Sequence, residues 1–352
     1  MRRKLRRLMI FGFVLGGLLA LGGFRASLPR LLILHSGSEG SPWVRRLDLA
    51  FERELQASRQ PVRVERHYLR LDEPGTSPEA VRVRVQDARR AMDRLSPDML
   101  IAVDDEANDL LARHDAGRPD LRRLYVSIDQ PPSRYGYDGR ASVTGVAETL
   151  PLVAVRDAIE ALRGVRPFAA GTEPRQPLRV AALARNSETG RAELEQVQRF
   201  DWAPLQLVDA AAASDFGQWK RICESWAGKA DVVLVLSHRG MPLLAGSAKA
   251  VTGAELAEWM ERACPPVPIG MSSGYVADGG GLSIAPSPEE YGKISMRMAL
   301  AWLASDRQAK PPEAREATHF DVALNAPRLR RRSLHLPPLY VEAAHARNAY
   351  FD

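Results

Sequence analysis

Four consecutive apolar residues, Leu31 to Leu34, run into His35, Ser36, Gly37, Gly40, Ser41 and Pro42, and this stretch constrains the fold more than any other. A short unbroken apolar run suits a strand buried on both faces of a parallel sheet. Ser41 is a good helix N-cap, and Pro42 fits the first helical position, where no amide hydrogen is needed. From Trp43 onward, Leu47, Ala50, Phe51 and Leu55 recur at helical spacing. The chain therefore opens with strand, glycine-containing loop and helix. In open α/β sheets such a loop lies at the carboxyl end of a strand, where ligands bind.

The same grammar recurs along the chain. Strands are predicted at 62–69, 98–103, 121–128 and 142–146, with helices opening at Ser77-Pro78 and at Glu106 between them. This alternation demands parallel strands joined by helical crossovers. The second half repeats the plan, with strands at 178–183, 205–208, 231–236 and 267–270. Helical stripes fall on Leu152, Val155, Ile159 and Leu162, and on Phe216, Trp219, Ile222, Cys223 and Trp226. Pro167 to Pro177 reads as a linker and Gly279 to Gly281 as a flexible hinge. Ser287-Pro288-Glu289-Glu290 reads as a capping box. The predicted class is α/β, two Rossmann-like doubly wound lobes in tandem.

At 352 residues there is room for two domains. Of the formal charge of +6, five units come from Arg2, Arg3, Lys4, Arg6 and Arg7, so the remainder is nearly balanced and no nucleic-acid footprint is expected. Those basic residues precede an apolar core from Leu8 to Gly23. Residues 1–26 therefore read as a signal peptide or a retained N-terminal anchor, placing the rest outside the cytoplasm. No cysteine follows the core to accept a lipid. Cys223 and Cys264 fall on neighbouring predicted helices. Such a compartment would permit a disulfide, while two buried thiols packing as small apolar groups is the plainer reading.

Several motifs in order resemble those of ABC-transporter substrate-binding proteins of the type I, two-lobed periplasmic binding protein group. The similarity is to the branch also found as the extracytoplasmic sensing half of receptor kinases. His35-Ser36 with Pro42-Trp43 resembles the opening motif, and Asp104-Asp105-Glu106-Ala107 an Asp-Asp-x-Ala segment. Thr144-Gly145-Val146-x-Glu148 resembles the lobe-crossing segment, and Asn186-Ser187-Glu188 the first loop of the second lobe. Gly280-Gly281-Leu282-Ser283 and Asn325-Ala326 complete the match. The resemblance implies three crossings, near Glu148, near Tyr275 to Ser283 and near Glu313 to Asp321. Lobe 1 would then hold 27–147 and 280–315, and lobe 2 148–279 and 316–352. It also implies capture of a small polar, amino-acid-like ligand by lobe closure, with a membrane permease of an ABC importer, or a membrane sensor, as partner. Ser237-His238-Arg239 departs from the family, where an Asp-Asn pair follows the strand.

The loops at the carboxyl ends of the strands present His35, Ser36, Asp104, Asp105 and Asp129 from the first half. From the second they present Arg185, Asn186, Ser187, Ser237, His238 and Ser272. Trp43 and Glu148 complete the ligand-binding set. Carboxylates of one lobe would hold a ligand cation, and Arg185 or Arg239 with a helix N-terminus an anionic group. Asp105 and Ser187 also suit helix caps, and His35 suits a satisfied histidine in the sheet. No nucleophile elbow, zinc-protease, P-loop or dinucleotide-binding motif is read in the chain, so binding without catalysis, cofactor or metal is expected.

Overall fold

Period-2 alternation sorts β1 (Arg30–His35) between two cores: Leu31 and Ile33 enter one, Leu32 and Leu34 the other, and all four are fully buried. The computed structural model describes residues 16, 27–73, 76–115, 117–118, 120–162, 177–247, 249–272 and 274–352. Most of segment 1–26 and of the linker 167–177 lies outside them. After β1 come α1 (Pro42–Ser58), β2 (Arg63–Tyr68), α2 (Pro78–Leu95), β3 (Met99–Val103), α3 (Asp104–Leu110), β4 (Arg122–Ile128) and β5 (Val143–Ala147). The second unit runs α4 (Leu152–Ala161), β6 (Arg179–Arg185), α5 (Glu188–Arg199), β7 (Gln206–Ala213), α6 (Phe216–Ser225) and β8 (Val232–Val235). It continues with α7 (Gly253–Ala263), β9 (Val267–Gly270), α8 (Gly274–Ala277) and β10 (Leu282–Pro286). Then follow α9 (Pro288–Ala304), β11 (Arg315–Glu316), β12 (Phe320–Asn325), α10 (Ala326–Arg331), α11 (Pro338–Ala346) and β13 (Tyr350–Phe351).

Two sheets result. The first has the order β11-β5-β4-β3-β1-β2 and the second β13-β12-β10-β9-β8-β6-β7. Within them the series β2-β1-β3-β4-β5 and β7-β6-β8-β9-β10 are the same doubly wound arrangement, and every pairing is parallel except that of β10 with β12. Each series reverses direction beside its first strand, so the ligand-binding crevices are predicted at the carboxyl ends of β1 and β3, and of β6 and β8. Both faces of each sheet are covered by helices. In the first lobe α1 and α9 supply Leu47, Phe51, Tyr291, Met296 and Trp302 to one core.

The crossings differ from expectation at one point. β10 hydrogen-bonds to β12 and β9, so residues 282–286 belong to the second sheet, and the chain returns to the first lobe only at Ser287. Gly279–Gly281 is therefore not the hinge. A Cβ on Gly280 would lie 2.1 Å from the Tyr275 ring, and Gly281 N donates to Glu261 Oε1 at 2.7 Å. Gly280 is needed for that close approach, and Gly279 for its φ of 102°. The capping box is also not formed: Ser287 makes no cap bond, and Glu290 pairs instead with His319 Nδ1 at 2.7 Å in the third crossing. Arg46 of α1 bridges Glu289 and the buried Asp321, which also meets Arg347 at 3.3 Å, so charges clasp the second and third crossings together. Cys223 and Cys264 form a disulfide, correcting the reading of two free thiols.

Candidate functional site

At the end of β3 the backbone turns through Asp104 with φ 68°, and at the end of β4 Ser127 has φ 56°. Left-handed geometry costs a non-glycine residue roughly 1 kcal/mol or more, and such outliers cluster where a site needs a group held in place. The register of β4 against β5 slips between Val126 and Ile128, and this bulge aims the Ser127 hydroxyl at Glu148, to which it donates. Glu148 N in turn donates to Ile128 O at 2.9 Å. The first crossing thus starts from a carboxylate pinned beside the end of β4.

Around it gathers a set of acids. Asp105 accepts from Asp129 N at 3.2 Å, from Gln130 N at 3.3 Å and from the Tyr135 hydroxyl, tying α3 to the loop after β4. Burial pushes Glu148 up to about 7, opposed by the Ser127 hydrogen bond and reinforced by the charges of Glu193 and Asp105. Burial, with the charges of Glu148, Asp105 and Glu193, holds Asp129 well above the ordinary carboxylate range. Asp104 is raised in the same way, by burial and then by Glu106, Glu148 and Asp105. Glu106, at the start of α3, is raised too, mainly by desolvation and then by Asp105, with Arg185 opposing.

The second lobe brings α5 across this region. Gln130 Nε2 donates to Glu188 O at 3.1 Å, Arg134 pairs with Glu188 at 3.3 Å, and Leu150 N donates to Gln196 Oε1 at 3.0 Å. Between these contacts lies the buried Glu193, whose Oε2 accepts from Ser237 N at 2.7 Å. Arg185, at the end of β6, makes no side-chain hydrogen bond or salt bridge among the described residues, and its Nε is buried without a partner. Its charge acts on Glu106 from the first lobe and on Glu193 from its own. One unpartnered guanidinium therefore faces carboxyls drawn from both lobes.

Of the expected residues, Asp104, Asp105, Asp129, Glu148 and Arg185 come together here. The others take different posts. His35 is fully buried on the α1 side, with Nε2 3.2 Å from Asp48 Oδ1 and its ring stacked on Tyr68 at 5.0 Å. Ser36 Oγ donates to Val103 O at 3.0 Å and accepts from Ala107 N at 2.9 Å, stapling β1 to α3. Trp43 packs against Tyr291 at 6.0 Å, and the Tyr291 hydroxyl accepts from Thr149 N at 3.2 Å in the first crossing. Asn186 is occupied by Ser214 and Arg191, at 3.1 and 2.8 Å. Ser187 caps α5 by accepting from Gly190 N at 3.1 Å. Ser187→Ala is expected to lower stability by about 1 kcal/mol in urea titration and to leave ligand affinity unchanged.

His238 is buried with Nδ1 on Leu236 O at 3.0 Å, edge-on to Tyr275, and Nε2 3.8 Å from Asp278. Ser237 contributes its backbone, to Glu193 and to Arg185 N. Ser272 lies after β9, its carbonyl accepting from Tyr275 N at 3.1 Å. The expected absence of a nucleophile-elbow motif is corrected: Gly270-Met271-Ser272-Ser273-Gly274 has the G-x-S-x-G spacing, between a strand and a helix. No hydrogen bond joins the Ser272 hydroxyl to a histidine among the described residues, whereas a nucleophile needs a base within reach. Glu106, Glu193 and Ser127 were missed. Glu193 was visible as the one acid in the buried stripe Gly190, Glu193, Leu194 and Val197.

No protein-family model matches the sequence, and no curated protein matches it. Solved structures do match in fold. The ABC domain in complex with L-Trp from Streptococcus pneumonia superposes with TM-score 0.63 at 14% identity, over 90% of this chain and 98% of that one. A ligand-free, open substrate-binding protein with adhesive properties from Clostridium difficile gives 0.62 at 13%, over 88% and 96%. A periplasmic ribose ABC transporter protein from Conexibacter woesei gives 0.51 at 12%, over 87% and 96%. The chain thus has the two-lobed α/β fold of type I periplasmic binding proteins, the fold shared by these substrate-binding proteins of ABC transporters.

Proposed function

We propose that this protein is an extracytoplasmic solute-binding protein that captures a small zwitterionic, amino-acid-like molecule between its lobes for a membrane permease of an ABC importer. What supports the reading is Arg185, a cation without a side-chain partner among the described residues, whose charge acts on Glu106 of the first lobe and on Glu193 of its own, beside a cluster of raised carboxyls that includes Asp104, Asp129 and Glu148. A guanidinium fork suits a ligand carboxylate, and the acids suit an ammonium group. Arrival of that ammonium favours the ionised form of carboxyls whose pKa values burial raises. The fold neighbour crystallised with L-Trp lends the same ligand class its support. The basic and apolar N-terminal sequence and the Cys223–Cys264 bond both suit a compartment outside the cytoplasm. No catalytic step is assigned.

The test is a thermal-shift and calorimetric screen of the purified chain against amino acids, purines and short peptides. A zwitterion is expected to raise the melting temperature and to bind with one site per chain. A screen in which no charged or polar molecule moves the melting curve overturns the reading.

A further inference from the structure

The acids of the cleft do more than line it, because they belong to two bodies. α5 of the second lobe touches the first lobe at one end, through Glu188 on Gln130 and Arg134, and holds the first crossing at the other, through Gln196 on Leu150. Glu193 lies between those contacts, and the first-lobe groups beside them are Asp129, next to Gln130, and Glu148, two residues before Leu150. The charge of Glu193 acts on both Glu148 and Asp129, so carboxyls from the two sides of the first crossing lie within electrostatic reach of one another. We propose that protonation of the inter-lobe set Asp129, Glu148 and Glu193 gates the empty cleft: protonated, the lobes rest together as described here, and ionised, they are driven apart.

The groups facing the set are few. From the first lobe Ser127 donates to Glu148, Asp105 bonds the Asp129 amide, Asp104 is a further carboxyl on which the Glu148 charge acts, and the Tyr291 hydroxyl of α9 serves the first crossing at Thr149. From the second lobe the cations are Arg185 and His238, with Ser237 N on Glu193. The acids outnumber those cations, so full ionisation leaves uncompensated like charges in a poorly solvated contact, which repel strongly. Glu148, pushed up to about 7, sets where the change occurs, and Asp129 and Glu193 are raised in the same direction. Opening admits water to all three and relieves the repulsion. A ligand ammonium entering the cleft would do the same without opening, so capture and proton binding oppose each other at this site. The inference takes from the capture reading only the location of the cleft, and it is tested without ligand.

Spin labels on one exposed residue of each lobe, introduced by Arg89→Cys and Glu342→Cys in the full chain, report the inter-lobe distance by pulsed dipolar spectroscopy at pH 5.5 and pH 8.5. The distance is expected to lengthen at the higher pH, and Glu193→Gln is expected to abolish most of the lengthening. Glu148→Gln serves as the second variant, and far-ultraviolet dichroism at both pH values confirms that each is folded. An unchanged distance in the parent, or full lengthening in both variants, overturns the gate. Either result leaves the ligand screen untouched.

Discussion

Replacing Arg185 by methionine is expected to weaken capture of the best ligand by roughly two orders of magnitude while leaving the fold intact. Removing one partner of a desolvated charge pair costs about 2–5 kcal/mol, and each 1.4 kcal/mol is about tenfold in affinity. The fold is spared because the Arg185 side chain makes no hydrogen bond or salt bridge among the described residues, while the stem occupies half-buried space that methionine fills. Arg185→Lys keeps the charge but loses the planar fork, so it should fall between parent and methionine variant. Calorimetry with the ligand from the screen measures all three. A methionine variant that binds as tightly as the parent removes Arg185 from the site. One that fails to melt cooperatively shows instead that its role is in the fold.

The second large effect concerns stability without ligand. Glu148, ordinarily near 4.5, is pushed up to about 7 by burial, so in the native state it holds a proton that the unfolded chain has already released. Its contribution is fully present below about pH 4.5 and is lost as pH rises through about 7, so the empty protein is expected to become less stable between pH 5 and pH 8. Between those two pH values a shift of that size removes about 2–3 kcal/mol. Asp104 and Asp129, raised in the same direction, add to the fall. Glu148→Gln, which mimics the protonated form, should match the parent at pH 5 and exceed it at pH 8. Urea midpoints at the two pH values decide it: a parent more stable at pH 8, or a variant with an undiminished fall, contradicts the assignment. Asp48 and Asp278 run the other way. In each, histidine and arginine partners outweigh burial and lower the carboxyl, so their contributions are lost only in acid.

How the cleft was legible depended on distance along the chain. The ends of β1, β3, β4, β6 and β8 follow from apolar runs and turn residues, and Asp104, Asp105, Asp129 and Arg185 sit at those ends by the logic of parallel sheets. His35 shows where that logic stops. Parity along β1 puts it on the face of Leu31 and Ile33, but only the packing of α1 reveals Asp48 waiting there as its partner. Glu193 shows the converse. Its place in an apolar stripe is local, whereas its meaning comes from Ser237, some forty residues on, and from a crossing segment as far back. Gly279–Gly281 was read as flexible because glycine permits freedom; the Tyr275 ring shows that here it permits contact instead.

The order of strands and helices, the duplication of one doubly wound plan and the burial of each strand on both faces were written in the sequence, because period, propensity and capping act within a few residues. Where the second crossing falls, which acids face one another across the lobes and that Arg185 is left without a partner among the described residues were decided only by the tertiary structure. Those facts come from contacts between segments far apart in the chain. Electrostatic interactions of that kind depend on separation and desolvation in three dimensions, which spacing along a sequence does not encode.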